Sequence, residues 1–203
     1  MRAARSGGAV ALSGGSTPRP AYELAAEAAP NWGGVAVWLV DERLVPLDDE
    51  RSNARLVRET LLSRVEDQPE TYFVRTELAP EEAAADYDDA LHGVDFALVL
   101  LGIGPDGHTA SLFPHAPSLG ETARRAVAAE ARFEPFVPRV TLTLPVLRAA
   151  DHAVFLVTGS EKADAVTHAF SEDPSAATPA SLVRSRRGQT TALLDEAAAA
   201  GLQ

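Results

Sequence analysis

The chain has 203 residues, 46% of them hydrophobic, which suits one domain spanning 1–203 with a full core. Its net charge of −11 argues against general binding to nucleic acid or acidic membranes, and an anionic ligand would need a local positive site built against that field. There is no cysteine, so disulfides and thiolate metal sites are excluded; no apolar run approaches membrane-spanning length, and a cytoplasmic location is expected.

Gly8 to Ser13 reads as a short strand, followed by Gly14, Gly15, Ser16, Thr17 and a helix over Pro20–Ala29 with Tyr22 and Leu24 toward the core. The turn is either a plain β–α connection with a Ser/Thr cap or a phosphate cradle of free N–H groups, hydroxyls and a helix N-terminus. It is not a P-loop, because the G-K-[ST] ending is missing. Val35–Val40 is a second strand, ending in Asp41-Glu42-Arg43; that charge cluster either points into a crevice or is a solvated loop. Ser52 is the expected cap of a helix whose stripe is Leu56, Val57, Thr60, Leu61 and Val65. Thr71–Val74 is a weak strand, and Pro80–Leu91 an acidic helix.

The next stretch organises the chain. Phe96–Leu101 is a continuous apolar run, read as a strand buried on both faces. Gly102, Gly104 and Gly107 then form a tight loop that carries Asp106 and His108 at the strand's carboxyl end, where open α/β sheets bind ligands. These glycines fit G-x-G-x-x-G, but Pro114 ends any following helix after about two turns, and no strand-ending acid follows roughly twenty residues on. A nicotinamide site is therefore rejected.

Residues 115–138 read as an irregular crossing, Arg139–Leu144 as a strand or extended segment, and Pro145 as the start of a short helix. Ala153–Thr158 is another buried strand, and Gly159-Ser160 opens a helix containing Lys162, the only lysine. A loop over Pro174–Pro179, a strand over Thr190–Leu194 and a helix of alanines close the chain. Alternating strands and helices predict a mostly parallel sheet with helices on both faces, and the loops after Ser13, Leu101 and Thr158 should share one edge of it.

The motifs S-G-G-S-T-P (13–18), D-E-R (41–43), S-N (52–53), L-G-I-G-P-D-G-H-T-A-S-L-F-P (101–114), R-V-T-L-T (139–143) and T-G-S-E-K-A (158–163) together resemble those of the 6-phosphogluconolactonases, within the group that includes the glucosamine-6-phosphate deaminases. The 101–114 block carries most of that specificity. The resemblance implies a Rossmann-like α/β fold and metal- and cofactor-free hydrolysis of 6-phosphoglucono-δ-lactone, a small-molecule phosphosugar lactone, by a monomer or homodimer. Only residues 1–12 precede Ser13. The resemblance implies the family's usual N-terminal strand and helix before this motif; either the start is assigned late or that segment is lost, and an uncovered sheet edge is then expected.

The resemblance assigns His108 as general base on water, a role suited to neutral imidazole. Asp106 is expected to orient His108, to hold sugar hydroxyls, or only to stabilise the glycine turn. Arg43 either stabilises the tetrahedral oxyanion or pairs with a neighbouring acid. Asp41 faces substrate hydroxyls, and Asn53 is grouped with it as substrate-binding. The phosphate falls to Gly14, Gly15, Ser16, Thr17, Arg139 and Lys162; a cation at a helix start opposes the dipole, so an anion there would explain it. The deaminase alternative typically carries G-H-I-A-F-N-E-P, whose glutamate falls at Phe113, which cannot transfer protons. A non-catalytic sugar-phosphate sensor is the other alternative, but such regulators usually add a helix-turn-helix for which no segment remains.

Overall fold

The computed structural model describes residues 8–202. The expectation about the segment ahead of Ser13 falls largely on residues outside this range. The elements run β1 (Ala9–Leu12), α1 (Pro18–Ala28), β2 (Ala36–Leu39), β3 (Asp41–Arg43), α2 (Asn53–Thr60), β4 (Glu70–Tyr72), α3 (Pro80–Ala90) and β5 (Phe96–Leu101). They continue as β6 (Ala126–Ala129), β7 (Arg139–Leu142), α4 (Leu144–Ala149), β8 (His152–Val157), α5 (Ala163–Phe170) and β9 (Gln189–Leu194).

Six strands form one sheet in the order β4-β2-β1-β5-β8-β9, every neighbouring pair parallel. The period-two alternation of strands divides the core in two. On one face Val10, Leu12, Val37 and Leu39 pack with Tyr22 and Ala26 of α1 and Ala54 and Val57 of α2. On the other, Ala11, Trp38, Val99 and Phe155 pack with Tyr87 of α3, Leu147 of α4 and Val166 of α5. This is the predicted α/β architecture with helices on both faces. Strand order reverses between β1 and β5, so the crevice at their carboxyl ends is a topological switch point, where α/β sheets place ligands. No helix among the described residues is long and apolar enough to cross a membrane.

Several expectations are corrected. A second sheet, antiparallel and ordered β3-β7-β6, was not foreseen. Asp41-Glu42-Arg43 is a strand of its own in that sheet, not the tail of β2 or a solvated loop. Within the supposedly irregular 115–138, Ala126–Ala129 is a strand. Both strands are short, and one is wholly charged, so neither has a pattern until β7 supplies the ladder. Leu24 is 60% exposed rather than core-facing, because Tyr22 and Ala26 take the buried side of α1. Residues 196–201 form turns instead of a helix. Consistent with the rejected nicotinamide fingerprint, residues 109–112 turn back on themselves through a Thr109–Leu112 bridge.

Candidate active site

The loops after β1, β5 and β8 meet around a cleft of about 460 Å³ lined by Gly14, Gly15, Ser16, Thr17, Asp41, Arg43, His108, Arg139 and Lys162. Ten of the residues expected at the site are thus brought together when Asp106, bonded to His108, is counted; Asn53 lines an adjoining pocket with Gly15, Ser16 and Arg43.

At the floor, the β5 loop is folded as a tight ring. Gly107 N–H donates to Gly104 O at 2.9 Å and Gly104 N–H to His108 O at 2.9 Å. This places Asp106 Oδ1 2.5 Å from His108 Nδ1, and the same oxygen accepts His108 N–H at 3.2 Å. Asp106 therefore both stabilises the turn and orients the imidazole. Holding Nδ1 as the donor leaves Nε2 as the ring's acceptor. Burial opposes ionisation of Asp106, but the hydrogen bond and charge of His108 outweigh it and hold the carboxyl below its ordinary range. The imidazole lies against Phe113 and Phe133, with ring centroids 4.9 and 5.6 Å away. Gly104 has to be glycine: a Cβ there would lie 2.1 Å from His108 Nδ1.

The cleft's second wall is β3. Asp41, only 5% exposed, accepts Ser111 Oγ–H on Oδ2 at 2.5 Å and Asn53 Nδ2–H on Oδ1 at 3.2 Å. Asn53 Nδ2 also donates to Asp41 O at 2.8 Å, so Asn53, 1% exposed, holds the strand through its amide nitrogen, while its Oδ1 lies beside Gly14 without a hydrogen-bond partner. Glu42 points the other way and is fully buried. It accepts Asn53 N–H and Ala54 N–H at 2.8 Å each, and Ser52 Oγ–H at 3.2 Å, fixing the start of α2 from outside the helix. Burial raises its pKa, against the pull of those backbone N–H groups. Sequence reasoning gave Glu42 and Ser111 no role; the alternation of D-E-R as a strand would have turned Glu42 away from its neighbours.

Arg43 and Arg139 are directly opposite in the β3–β7 register. Like charges in that relation repel. Arg43 Nη1–H donates to Arg51 O at 2.7 Å. Arg139 is 3% exposed, donates through Nη2 to Phe133 O and Pro135 O at 3.1 and 2.9 Å, and has Nη1 3.9 Å from Asp41 Oδ2. Burial, with Arg43 adding to it, lowers the Arg139 pKa despite Asp41. Two cations facing one cleft make a local positive site in an acidic protein.

At the β1 loop, Gly15 takes φ +101°, a region costly to residues with a Cβ. Thr17 is the N-cap of α1 by position but makes no capping hydrogen bond. Its hydroxyl instead meets that of Thr158, 3.0 Å away, joining the loops of β1 and β8 above the end of β5. Lys162 lies at the N-cap of α5, after a turn at Ser160–Lys162, and burial lowers its pKa, partly offset by Glu161 and Asp106.

Comparison with known proteins agrees with this geometry. The family model for glucosamine-6-phosphate isomerases/6-phosphogluconolactonase matches residues 1–192. A human protein named 6-phosphogluconolactonase is 40% identical over 98% of this chain and 82% of its own length. The crystal structure of 6-phosphogluconolactonase from Thermotoga maritima superposes with a TM-score of 0.80 at 34% identity, covering 93% of this chain and 85% of that one. The 6-phosphogluconolactonase from Trypanosoma cruzi gives a TM-score of 0.85 at 30% identity, over 97% and 84% of the two chains. With its parallel sheet, its switch-point cleft and this extent of likeness, the chain belongs to the glucosamine-6-phosphate isomerase/6-phosphogluconolactonase family.

Proposed function

We propose that the chain hydrolyses 6-phospho-D-glucono-1,5-lactone to 6-phospho-D-gluconate, the lactone-opening step of the oxidative pentose phosphate pathway, with His108 as general base. The observation that carries the reading is the Asp106–His108 pair in a cleft lined by Arg43, Arg139 and Lys162. His108 Nε2 takes a proton from water as its oxygen bonds to the lactone C1. The carbonyl becomes a tetrahedral oxyanion, which the Arg43 guanidinium stabilises. As the oxyanion collapses, the bond from C1 to the ring oxygen breaks, and the imidazolium returns its proton to that oxygen. Asp106 holds the ring through both transfers. Asp41 accepts hydrogen bonds from substrate hydroxyls.

The phosphate is held by Gly14 and Gly15 N–H groups, the Ser16 and Thr17 hydroxyls, Arg139 and Lys162. The missing capping bond at Thr17 supports the cradle over a plain capped turn. The deaminase alternative finds no acid at Phe113, whose side chain is fully buried under His108.

The test is hydrolysis of freshly prepared 6-phosphogluconolactone, with 6-phosphogluconate detected by NADP-linked oxidation and corrected for the spontaneous blank. Acceleration over the blank is expected, with no ammonia released from glucosamine 6-phosphate. Release of ammonia without lactone hydrolysis would overturn the reading in favour of the deaminase branch.

A further inference from the structure

Asp41 is a carboxylate whose position is imposed from outside its own strand. Ser111, fully buried, reaches it from the loop that carries His108, three residues further along the chain. The 2.5 Å separation of Ser111 Oγ and Asp41 Oδ2 is that of a charge-assisted bond, in which the hydroxyl donates to an ionised acceptor. Between His108 and Ser111, Ala110 has φ +50°, a left-handed conformation that an alanine adopts at a cost. That kink lets one short segment present the imidazole to the cleft and the serine hydroxyl to β3. Ser111 is itself held from the second sheet, its N–H donating to Thr141 Oγ1 at 3.2 Å, and Thr141 is the cross-strand partner of Asp41. The serine thus stands at a junction of the β5 loop, β3 and β7.

We infer that Ser111 is a positioning residue for the reaction: its hydroxyl locks Asp41 to the loop bearing His108, so that the acid that holds the sugar and the base that activates water keep one fixed separation. The inference rests on the reading of Asp41 as a substrate ligand. A rigid separation matters because a displacement of about 1 Å at such a site can cost on the order of a hundredfold in rate. Ser111 touches no substrate and acts through Asp41 alone.

A double-mutant cycle on kcat/KM for 6-phosphogluconolactone tests this, with Ser111→Ala, Asp41→Ala and both together, each confirmed as folded by circular dichroism. Ser111→Ala should lower kcat/KM about tenfold or more, the usual worth of a hydrogen bond to a charged group. Asp41→Ala should cost more. The double variant should match Asp41→Ala, because without the carboxylate the hydroxyl has nothing to position. Multiplying losses, or a Ser111→Ala enzyme as fast as the wild type, would overturn the inference while leaving the Asp41 reading intact. An Asp41→Ala enzyme as fast as the wild type would sink the Asp41 reading and the inference with it. If Ser111→Ala does not fold, Ser111→Cys fills the space with a weak donor and gives the same cycle.

Discussion

His108 Nδ1 lies 2.5 Å from Asp106 Oδ1, within a loop closed on itself by the Gly104 and Gly107 amides. The hydrogen bond between the pair is therefore set within the Gly104–His108 loop, with Phe113 and Phe133 packed against the imidazole. His108→Asn keeps the approximate size but cannot accept a proton near neutrality. Its kcat should fall about 10²–10⁴-fold, the usual worth of a general base. Affinity for 6-phosphogluconate, measured by calorimetry, should change little, since the proposed phosphate contacts lie on other loops. A mutant with near-wild-type turnover and an intact fold would falsify the assignment.

Asp106 gives the same pair a pH signature. Its folded pKa is depressed, so its contribution to stability is present above the unfolded value, near 3.9 for an ordinary aspartate, and is lost as pH falls through the folded value. Asp106→Asn removes that contribution and lets the imidazole adopt the wrong tautomer. Thermal midpoints of the two proteins should differ near neutrality and converge as pH falls through the folded value of Asp106. A difference that persists unchanged into acid would show that the stability lost in Asp106→Asn is not linked to ionisation of the carboxylate.

Gly104 offers a second route to the same loss. An added Cβ would meet His108 Nδ1 at 2.1 Å and Asp106 Oδ1 at 2.7 Å, separations no carbon tolerates. Gly104→Ala should force the two side chains apart and lower kcat as His108→Asn does, with a thermal midpoint only slightly reduced. An alanine variant of full activity would mean that the loop relaxes without disturbing the pair.

The pair was legible in the sequence because everything that makes it is local: an apolar strand, glycines, an acid and a histidine two residues apart. The same holds for the alignment of the β1, β5 and β8 loops, each announced by an apolar run ending in glycine or a hydroxyl residue. The second sheet was not legible. Asp41-Glu42-Arg43 is polar throughout and pairs with a strand about a hundred residues away in sequence, so only tertiary contact makes it a strand. Asn53 was placed at the substrate for the same reason. Its type fits a binding role, but that its amide nitrogen holds Asp41 could be seen only in the fold. Ser111 lay inside the most specific motif and still had no visible role, because its partner is seventy residues upstream.

Arg43 opposite Arg139, with Lys162 across the cleft, is costly for the free protein and favourable once a dianion arrives. Unphosphorylated glucono-δ-lactone should accordingly be a far poorer substrate. Charge-assisted contacts are worth about 1.5–3 kcal/mol each, so losing several costs orders of magnitude in kcat/KM. Raising salt should narrow the gap by screening the partly exposed Arg43 and Lys162. Equal turnover of the two lactones would remove the phosphate assignment.

Lys162 allows the phosphate site to be read without any turnover. Burial is the main cause of its lowered pKa, with Glu161 and Asp106 working in the opposite direction. In the free protein its ammonium form is thus disfavoured, and an alkaline solution strips its proton more readily than from an ordinary lysine. A phosphate dianion beside the amine reverses this by favouring the charged form. Binding of 6-phosphogluconate at about pH 9–10, just below the usual lysine range, should therefore be accompanied by proton uptake. Calorimetric titrations in two buffers of different ionisation heat measure it directly: the apparent enthalpy should differ between buffers in the wild type and agree in Lys162→Met. The same variant should bind more weakly at neutral pH, where the wild-type ammonium is charged. Buffer-independent enthalpies in the wild type would place the phosphate away from Lys162, whatever the kinetics of the enzyme.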